Sequence, residues 1–266
     1  MIHLCSLWDS AYHKKGMALI DSLRRYHMND HVLFVLALDQ NVYDQINGQH
    51  STIAVELENL ENESADLREA KSNRSRIEYT WTLASYFTAW CADTFELDSI
   101  AYIDADCYLF NPLDELYQEA VDTRVSIIPH RYTPSEESRL RGAGIYNVGW
   151  VYFEKAGYQC LRDWRDACLD WCYYRVEADG RFADQGYLNT WPQQYGAHVV
   201  QHLGANLAPW NQLQYKYDGM TVSDGKRTDT ILFYHFHGYV DKSNWTGYKL
   251  NPGVKGLYDE YSRWMG

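Results

Sequence analysis

Residues 100–111 read Ile-Ala-Tyr-Ile-Asp-Ala-Asp-Cys-Tyr-Leu-Phe-Asn, a short apolar run that ends in two carboxylates, Asp104 and Asp106. The run has the length and bulk of a buried strand. In an extended chain alternate side chains share a face, so Asp104 and Asp106 point the same way and their oxygens can share one hard cation. A solvated turn gives the same Asp-x-Asp spelling, and these three residues alone do not choose between the two. Open α/β sheets collect ligands at the carboxyl ends of their strands, so the acids stand where chemistry is expected.

Outward from this stretch, strands and helices alternate. Residues 2–7 form a first apolar strand, followed by a loop carrying Asp9 and Tyr12 and a helix over 17–26 with Leu19, Leu23 and Tyr26 at helical spacing. Residues 32–38 are a second strand, 49–75 a polar, acidic stretch expected to be solvated, and 77–94 a long helix with Tyr79, Leu83, Tyr86, Phe87 and Trp90 on one broad face. Beyond the acid-tipped strand come a short helix over 113–120, a strand over 125–128 and a charged loop over 132–144. A strand over 146–153 follows, entered through Asn147 and broken by Gly149, then an amphipathic helix over 159–175. Asp184 opens another helix, and strands over 199–203 and 231–234 close the pattern. The alternation predicts an α/β fold, a three-layer α/β/α sandwich around a mostly parallel mixed sheet. Without a linker, a low-complexity segment or a repeat, residues 1–266 read as one domain.

Composition narrows the function. A net charge of -12 over 266 residues, with no basic run longer than a pair, excludes a broad nucleic-acid-binding surface. No apolar run approaches ~20 residues, so no transmembrane segment is expected. Met1 leads straight into a strand without a charged leader, and the expectation is a cytoplasmic protein. The six cysteines include no Cys-x-x-Cys pair; Cys168 and Cys172 would be neighbours on a helix but read as free thiols. Ten Trp and 23 Tyr suit sugar rings as well as they suit packing, which is the default use.

His235 and His237 follow the last strand as Asp104 and Asp106 follow theirs. Parallel strands would deliver all four to one edge of the sheet. An Asp, Asp, His set suits Mn²⁺ or Mg²⁺ on a diphosphate, with His237 in the pocket wall. Arg74 and Arg76 either reach that diphosphate or form a solvated basic turn. By spacing alone Asp184-Gln185 is a plain helix start, and 206–211 a turn. No Gly-x-Gly-x-x-Gly, Gly-Lys-Ser/Thr or Gly-x-Ser-x-Gly motif is present. Haloacid-dehalogenase phosphatases share the strand and Asp-x-Asp but need Thr or Val two residues further on, where this chain has Tyr108.

The motifs taken together resemble the metal-dependent glycosyltransferases of the GT-A fold, in particular retaining family 8, which includes glycogenin and bacterial lipopolysaccharide galactosyltransferases. Ser6-Leu-Trp-Asp9-Ser-Ala-Tyr12 is similar to the family's nucleotide-base loop, Asp104-Ala-Asp106 to its Asp-x-Asp and Asn147-Val-Gly149 to its Asn-Ser-Gly. Asp184-Gln185-Gly-Tyr-Leu-Asn189 is similar to its Asp-Gln-x-x-Leu-Asn, and His235-Phe-His-Gly238 to its His-Phe-x-Gly. Longer strings at 73–82, 128–132, 202–211 and 233–239 resemble a bacterial subgroup of uncharacterised glycosyltransferase-like proteins.

The resemblance implies transfer of a sugar from a nucleotide-diphosphate sugar, a UDP-sugar, to a saccharide or other hydroxyl acceptor, with retention. It implies Mn²⁺ or Mg²⁺ on Asp104, Asp106 and His235, with the nucleotide base on Asp9 and Tyr12 near Ser6. Arg74, Arg76, Asn147, Gly238 and Lys242 are the remaining donor-contacting candidates. Asp184 would orient the donor sugar and Gln185 would lie near the anomeric carbon. Two features depart from the family. Its Arg after the helix Tyr is replaced by Trp81, and its closing Lys-Pro-Trp is missing, with Lys242 one residue late and Trp245 displaced. The rival readings are a sugar-phosphate nucleotidylyltransferase, which should carry a Gly-rich basic loop after the first strand, and a non-catalytic carbohydrate-binding protein.

Overall fold

A computed structural model of the protein describes residues 1–27, 30–240 and 248–266. In chain order the elements open with β1 (Ile2–Trp8), α1 (His13–His27), β2 (His31–Ala37), α2 (Gln40–Ile46), β3 (Thr52–Glu56), α3 (Leu57–Glu63), α4 (Ala65–Asn73) and α5 (Arg76–Thr94). There follow β4 (Ser99–Ile103), β5 (Cys107–Leu109), α6 (Asp114–Ala120), β6 (Val125–Pro129), α7 (Leu140–Ala143), β7 (Tyr146–Glu154) and α8 (Tyr158–Asp170). The rest is α9 (Trp191–Gln194), β8 (His198–Val199), β9 (Lys216–Asp218), β10 (Thr221–Ser223), β11 (Thr228–Thr230), β12 (Phe233–His235) and α10 (Lys255–Met265).

The central sheet runs β3-β2-β1-β4-β7-β6-β8. The pairs among β3, β2, β1 and β4 are parallel, β7 is antiparallel to both its neighbours, and β8 is again parallel to β6. The expected mixed, mostly parallel sandwich is therefore present. One face is covered by α5 and α8, through Phe87, Cys91, Leu161 and Trp164, and the other by α1 and α6, through Leu19, Leu23 and Leu116. A third, aromatic cluster packs α10 onto β5 and β12 with Tyr108, Tyr234, Phe236, Tyr258 and Tyr261 buried.

Four departures from the sequence reading have local causes. The polar stretch 49–75 folds into β3, α3 and α4, because Leu60, Leu67 and Ala70 are completely or almost completely buried. Three apolar anchors suffice to dock two charged helices. The helix expected over 159–175 stops at Asp170, where the Arg74 guanidinium donates to the carbonyls of Cys168 and Leu169. The strand expected over 199–203 shrinks to β8 at the sheet margin.

The fourth departure bears on the site. The strand expected over 231–234 is not in the central sheet at all. It is β12, which pairs antiparallel with β5 in a separate two-stranded ribbon, Phe233 opposite Leu109 and His235 opposite Cys107.

Two glycines allow the approaches on which the site depends. A Cβ at Gly16 would lie 2.3 Å from the Trp8 indole, so only glycine lets α1 sit this close to the end of β1. Glycine inside a helix costs about 1 kcal/mol relative to Ala. At Gly149 in β7 a Cβ would lie 2.5 Å from Asn147 Oδ1 and 2.6 Å from His235 Nδ1.

Candidate active site

Asp104 and Asp106 do not lie on a strand. Strand β4 ends at Ile103, the amide of Asp104 donates to the Gly149 carbonyl (3.2 Å), and the amide of Cys107 donates back to the Asp104 carbonyl (3.0 Å). The acids are therefore brought together by a tight turn that reverses into β5 rather than by strand alternation. His235 enters from the neighbouring strand of the same ribbon, opposite Cys107. Its Nε2 lies 3.1 Å from Asp106 Oδ1 and 3.5 Å from Asp104 Oδ2. One ligand atom from each of the three residues falls within 4.8 Å of the others. The expected trio is assembled, but by an antiparallel ribbon and a turn instead of parallel strand ends.

The donor set fits a divalent cation. Two carboxylates in a largely buried corner repel each other, and the arrangement gives hard oxygen atoms and one imidazole nitrogen a common focus. The Tyr102 hydroxyl donates to Asp104 Oδ1 at 2.9 Å and fixes that carboxylate's rotation. Without a cation the charges share the burden unevenly. Burial opposes ionisation of Asp106, but the charge and hydrogen bond of His235, with Lys15 nearby, outweigh it and hold Asp106 below the usual carboxylate range. Asp104 is raised by burial and by its ionised neighbour, against the pull of His235. Burial penalises the His235 cation, yet Asp106 and Asp104 push its pKa up. His237 goes the other way, to about 4, through burial and the charge of His235.

This trio lies on the wall of a cavity of about 560 Å³. Asp9, Tyr12 and Arg76 line the same cavity at its rim, with Trp81, Tyr174 and Phe182 as an aromatic wall. The three rings form a cluster, 5.5 Å between the Trp81 and Tyr174 centroids and 5.6 Å between Tyr174 and Phe182. Asp9 caps its own loop, accepting from the amides of Ala11 (2.9 Å) and Tyr12 (3.1 Å), and its second oxygen pairs with the Arg76 guanidinium.

Asp184 and Gln185 line the cavity as well. Asp184 is not the cap of a regular helix. It is 6% exposed in the loop before a 3₁₀ turn, and burial together with the charge of Asp104 raises its pKa to about 8. Asn147 ties the parts together. Its Oδ1 accepts from the Gly149 amide (2.9 Å) and from Asn206 Nδ2 (3.0 Å), and its Nδ2 lies 3.5 Å from Gln185 Oε1. Asn206, in a segment legible only as a turn, is fully buried at φ +58°, and the following Trp210 packs edge-on to both His235 and His237.

Three expected site residues stand elsewhere. Arg74 does not line the cavity; its guanidinium donates to Thr82 Oγ1 and to two carbonyls at the end of α8, where the helix leaves acceptors unpaired. Ser6 is completely buried within β1 and its hydroxyl has no partner among the described residues. Gly238 sits at φ +68° in the turn after β12, outside the cavity lining. Lys242 lies outside the described residues.

Lys15 was not singled out by the sequence. It is the third residue of α1, 9% exposed, with Nζ 3.6 Å from Asp106 Oδ2. A Lys-Lys pair at a helix start ordinarily marks a solvated face, so nothing local distinguishes it.

No protein-family model matches the chain. It is 31% identical over 249 residues to the uncharacterized protein YfnD of Bacillus subtilis strain 168, covering 90% of this chain and 78% of YfnD. It is 28% identical over 251 residues to the uncharacterized YfnF of the same organism, covering 88% of this chain and 80% of YfnF. Among solved structures, the galactosyltransferase LgtC in complex with donor and acceptor sugar analogs superposes with a TM-score of 0.64 at 13% identity, over 100% of this chain and 95% of LgtC. Mouse xyloside xylosyltransferase 1 does so with a TM-score of 0.55 at 13% identity, over 89% of this chain and 98% of that one. The Streptococcus pneumoniae glycosyltransferase GlyE gives 0.58 at 15% identity, over 98% of this chain and 61% of GlyE. At such identities the likeness establishes the architecture, which is that of the GT-A enzymes.

Proposed function

The chain belongs to the family of the Bacillus subtilis protein YfnD and has the GT-A fold, and from that premise we propose that it is a cation-dependent glycosyltransferase. It transfers a sugar from a nucleotide-diphosphate sugar, a UDP-sugar, to a hydroxyl of a saccharide or other acceptor, with retention at the anomeric carbon. The observation that carries this reading is the convergence of Asp104, Asp106 and His235 within 4.8 Å on the wall of a cavity whose rim holds Asp9, Tyr12 and Arg76. A three-donor corner facing a 560 Å³ cavity suits a diphosphate with a nucleoside on one side and a sugar on the other.

In this reading Asp104, Asp106 and His235 hold Mn²⁺ or Mg²⁺, which when bound supplies charge neutralisation for a departing diphosphate. Asp9 and Tyr12 grip the base, and Arg76 lies over the same end. Asp184 faces the donor sugar. Burial and the charge of Asp104 hold it above the usual carboxylate range in the cation-free protein, and its carboxyl group offers a sugar hydroxyl a hydrogen-bond partner. Gln185, oriented through Asn147, stands by the anomeric carbon on the face away from the leaving group. LgtC, with the same architecture, has been crystallised with an active-site glutamine changed to glutamate, which supports a role for a glutamine in such a site. The leaving phosphate takes the acceptor's proton on the face it departs from, so no side chain need act as a nucleophile. Trp81, Tyr174 and Phe182 offer flat faces to a sugar ring.

Thermal melts of the full chain with UDP, other nucleoside diphosphates and their sugars, with and without Mn²⁺, test this reading. A ligand of the native state raises the midpoint by mass action. The expected result is stabilisation by a nucleoside diphosphate that requires Mn²⁺ and is absent in Asp106→Ala. No stabilisation by any nucleoside diphosphate with Mn²⁺ present contradicts it.

A further inference from the structure

Lys15 stands beside the candidate cation site rather than in it. Its ammonium lies between the Asp106 carboxylate, 3.6 Å away, and the face of the Tyr12 ring, 4.1 Å from the centroid. Among the described residues it makes no hydrogen bond. An ammonium has three donors and a strong hydration shell, so holding one largely buried with those donors unspent is costly unless another acceptor arrives. The placement is built into the fold. Gly16 lets α1 approach Trp8 at the end of β1, and that approach sets the preceding residue against the Asp104–Asp106 turn. Its two partners belong to different parts of the cavity lining, Tyr12 to the rim and Asp106 to the cation corner, while Lys15, in contact with both, is not itself a lining residue.

We propose that Lys15 is a phosphate-binding cation that makes divalent-cation binding and nucleotide binding depend on each other, an inference that rests on the reading of this corner as a donor-diphosphate site. Two carboxylates neutralise a divalent cation, with His235 ligating as a neutral imidazole. Lys15 then leaves the corner with one unbalanced positive charge, and the diphosphate of a nucleotide sugar brings two negative ones. With the nucleotide absent, Lys15 occupies Asp106 and repels an incoming cation. With it present, the ammonium turns its free donors to phosphate oxygens and releases Asp106 to the cation. Linkage requires the effect to be reciprocal, so the cation tightens nucleotide binding by the factor by which the nucleotide tightens the cation. A lysine can do this because it is a point charge on a flexible stem and can turn from one anion to the other.

The test titrates Mn²⁺ into the full chain and follows free Mn²⁺ by its electron paramagnetic resonance signal, with and without UDP, corrected for the Mn²⁺–UDP complex in buffer. UDP is expected to tighten Mn²⁺ binding to the wild type by about tenfold or more. In Lys15→Met, Mn²⁺ alone should bind about tenfold more tightly and the effect of UDP should shrink by a similar factor. Lys15→Gln, which removes the charge but keeps a polar end, is measured in parallel so that a folding defect in the Met variant does not hide the result. Wild-type Mn²⁺ affinity and a wild-type UDP effect in the folded variants overturn the inference and leave the glycosyltransferase reading standing. A wild type that binds neither Mn²⁺ nor UDP overturns both.

Discussion

Two carboxylates that line the same cavity, Asp9 and Asp106, each pair with a basic side chain, and the two pairs differ in burial. At the rim, Asp9, 15% exposed, pairs with Arg76, 77% exposed; in the corner, Asp106 pairs with Lys15, with side chains 8% and 11% exposed. An exposed pair gains about 0–1 kcal/mol and can exchange partners freely. A buried pair has lost its hydration, and the charge left behind when one member is removed is expensive. The rim pair is therefore a replaceable contact. The corner pair is a dehydrated charge pair, kept where a cation can take over its carboxylate and a diphosphate its ammonium.

The largest effect that would sharpen this contrast comes from the corner. Asp106→Asn is expected to lower transfer by about 10²–10³-fold and to abolish Mn²⁺-dependent stabilisation, read by a transfer assay and by melts with chelator or metal. Retention of the Mn²⁺ response would remove the cation corner from the account. Next comes the pH dependence of Asp184. Its folded pKa of about 8 lies above the unfolded carboxyl value, so the folded state binds the extra proton between roughly pH 4 and 8. Stability contributed by the neutral acid is full at the acid end and is lost as pH rises through about 8, with a slope of at most about 1.4 kcal/mol per pH unit. Cation-free melts between pH 5 and 9 should show this decline in the wild type and a shallower one in Asp184→Asn.

A smaller effect concerns the two arginines that read alike in sequence. Arg74→Ala should destabilise the fold by about 1–3 kcal/mol by stripping donors from buried carbonyls, with little change in the KM for nucleotide sugar; chemical denaturation and steady-state kinetics check it. Arg76→Ala should do the reverse, changing stability by less than about 1 kcal/mol while raising that KM severalfold. If Arg76→Ala destabilises as much as Arg74→Ala, the rim pair is not the loose contact described above.

These residues also mark how far the sequence could be read. Asp104, Asp106 and His235 were legible because acids and imidazoles at the ends of two apolar runs recurred together and in family order. The way they meet was not. Strand β12 has three residues, too few to show a pairing partner, and its antiparallel register with β5 is set by contacts more than a hundred positions away in the chain. Arg74 and Arg76 stand two residues apart, yet one reaches carbonyls 94 and 95 positions away and the other reaches Asp9; no local pattern separates them. Lys15 was hidden for a different reason. Its burial depends on the helix approach that Gly16 permits at Trp8, a tertiary fact spelled by a glycine that reads in sequence as a mere helix weakness.

The central claim is that the Asp104–Asp106–His235 corner serves transfer from a nucleotide-diphosphate sugar. The most direct measurement is release of nucleoside diphosphate from a panel of nucleotide sugars by the wild type and Asp106→Asn, each with Mn²⁺ and with a chelator. The account predicts release from at least one UDP-sugar by the wild type with Mn²⁺, lost on chelation and lost in the variant. Release that persists undiminished under chelation and in Asp106→Asn, or none from any sugar in the panel with Mn²⁺ present, would contradict it.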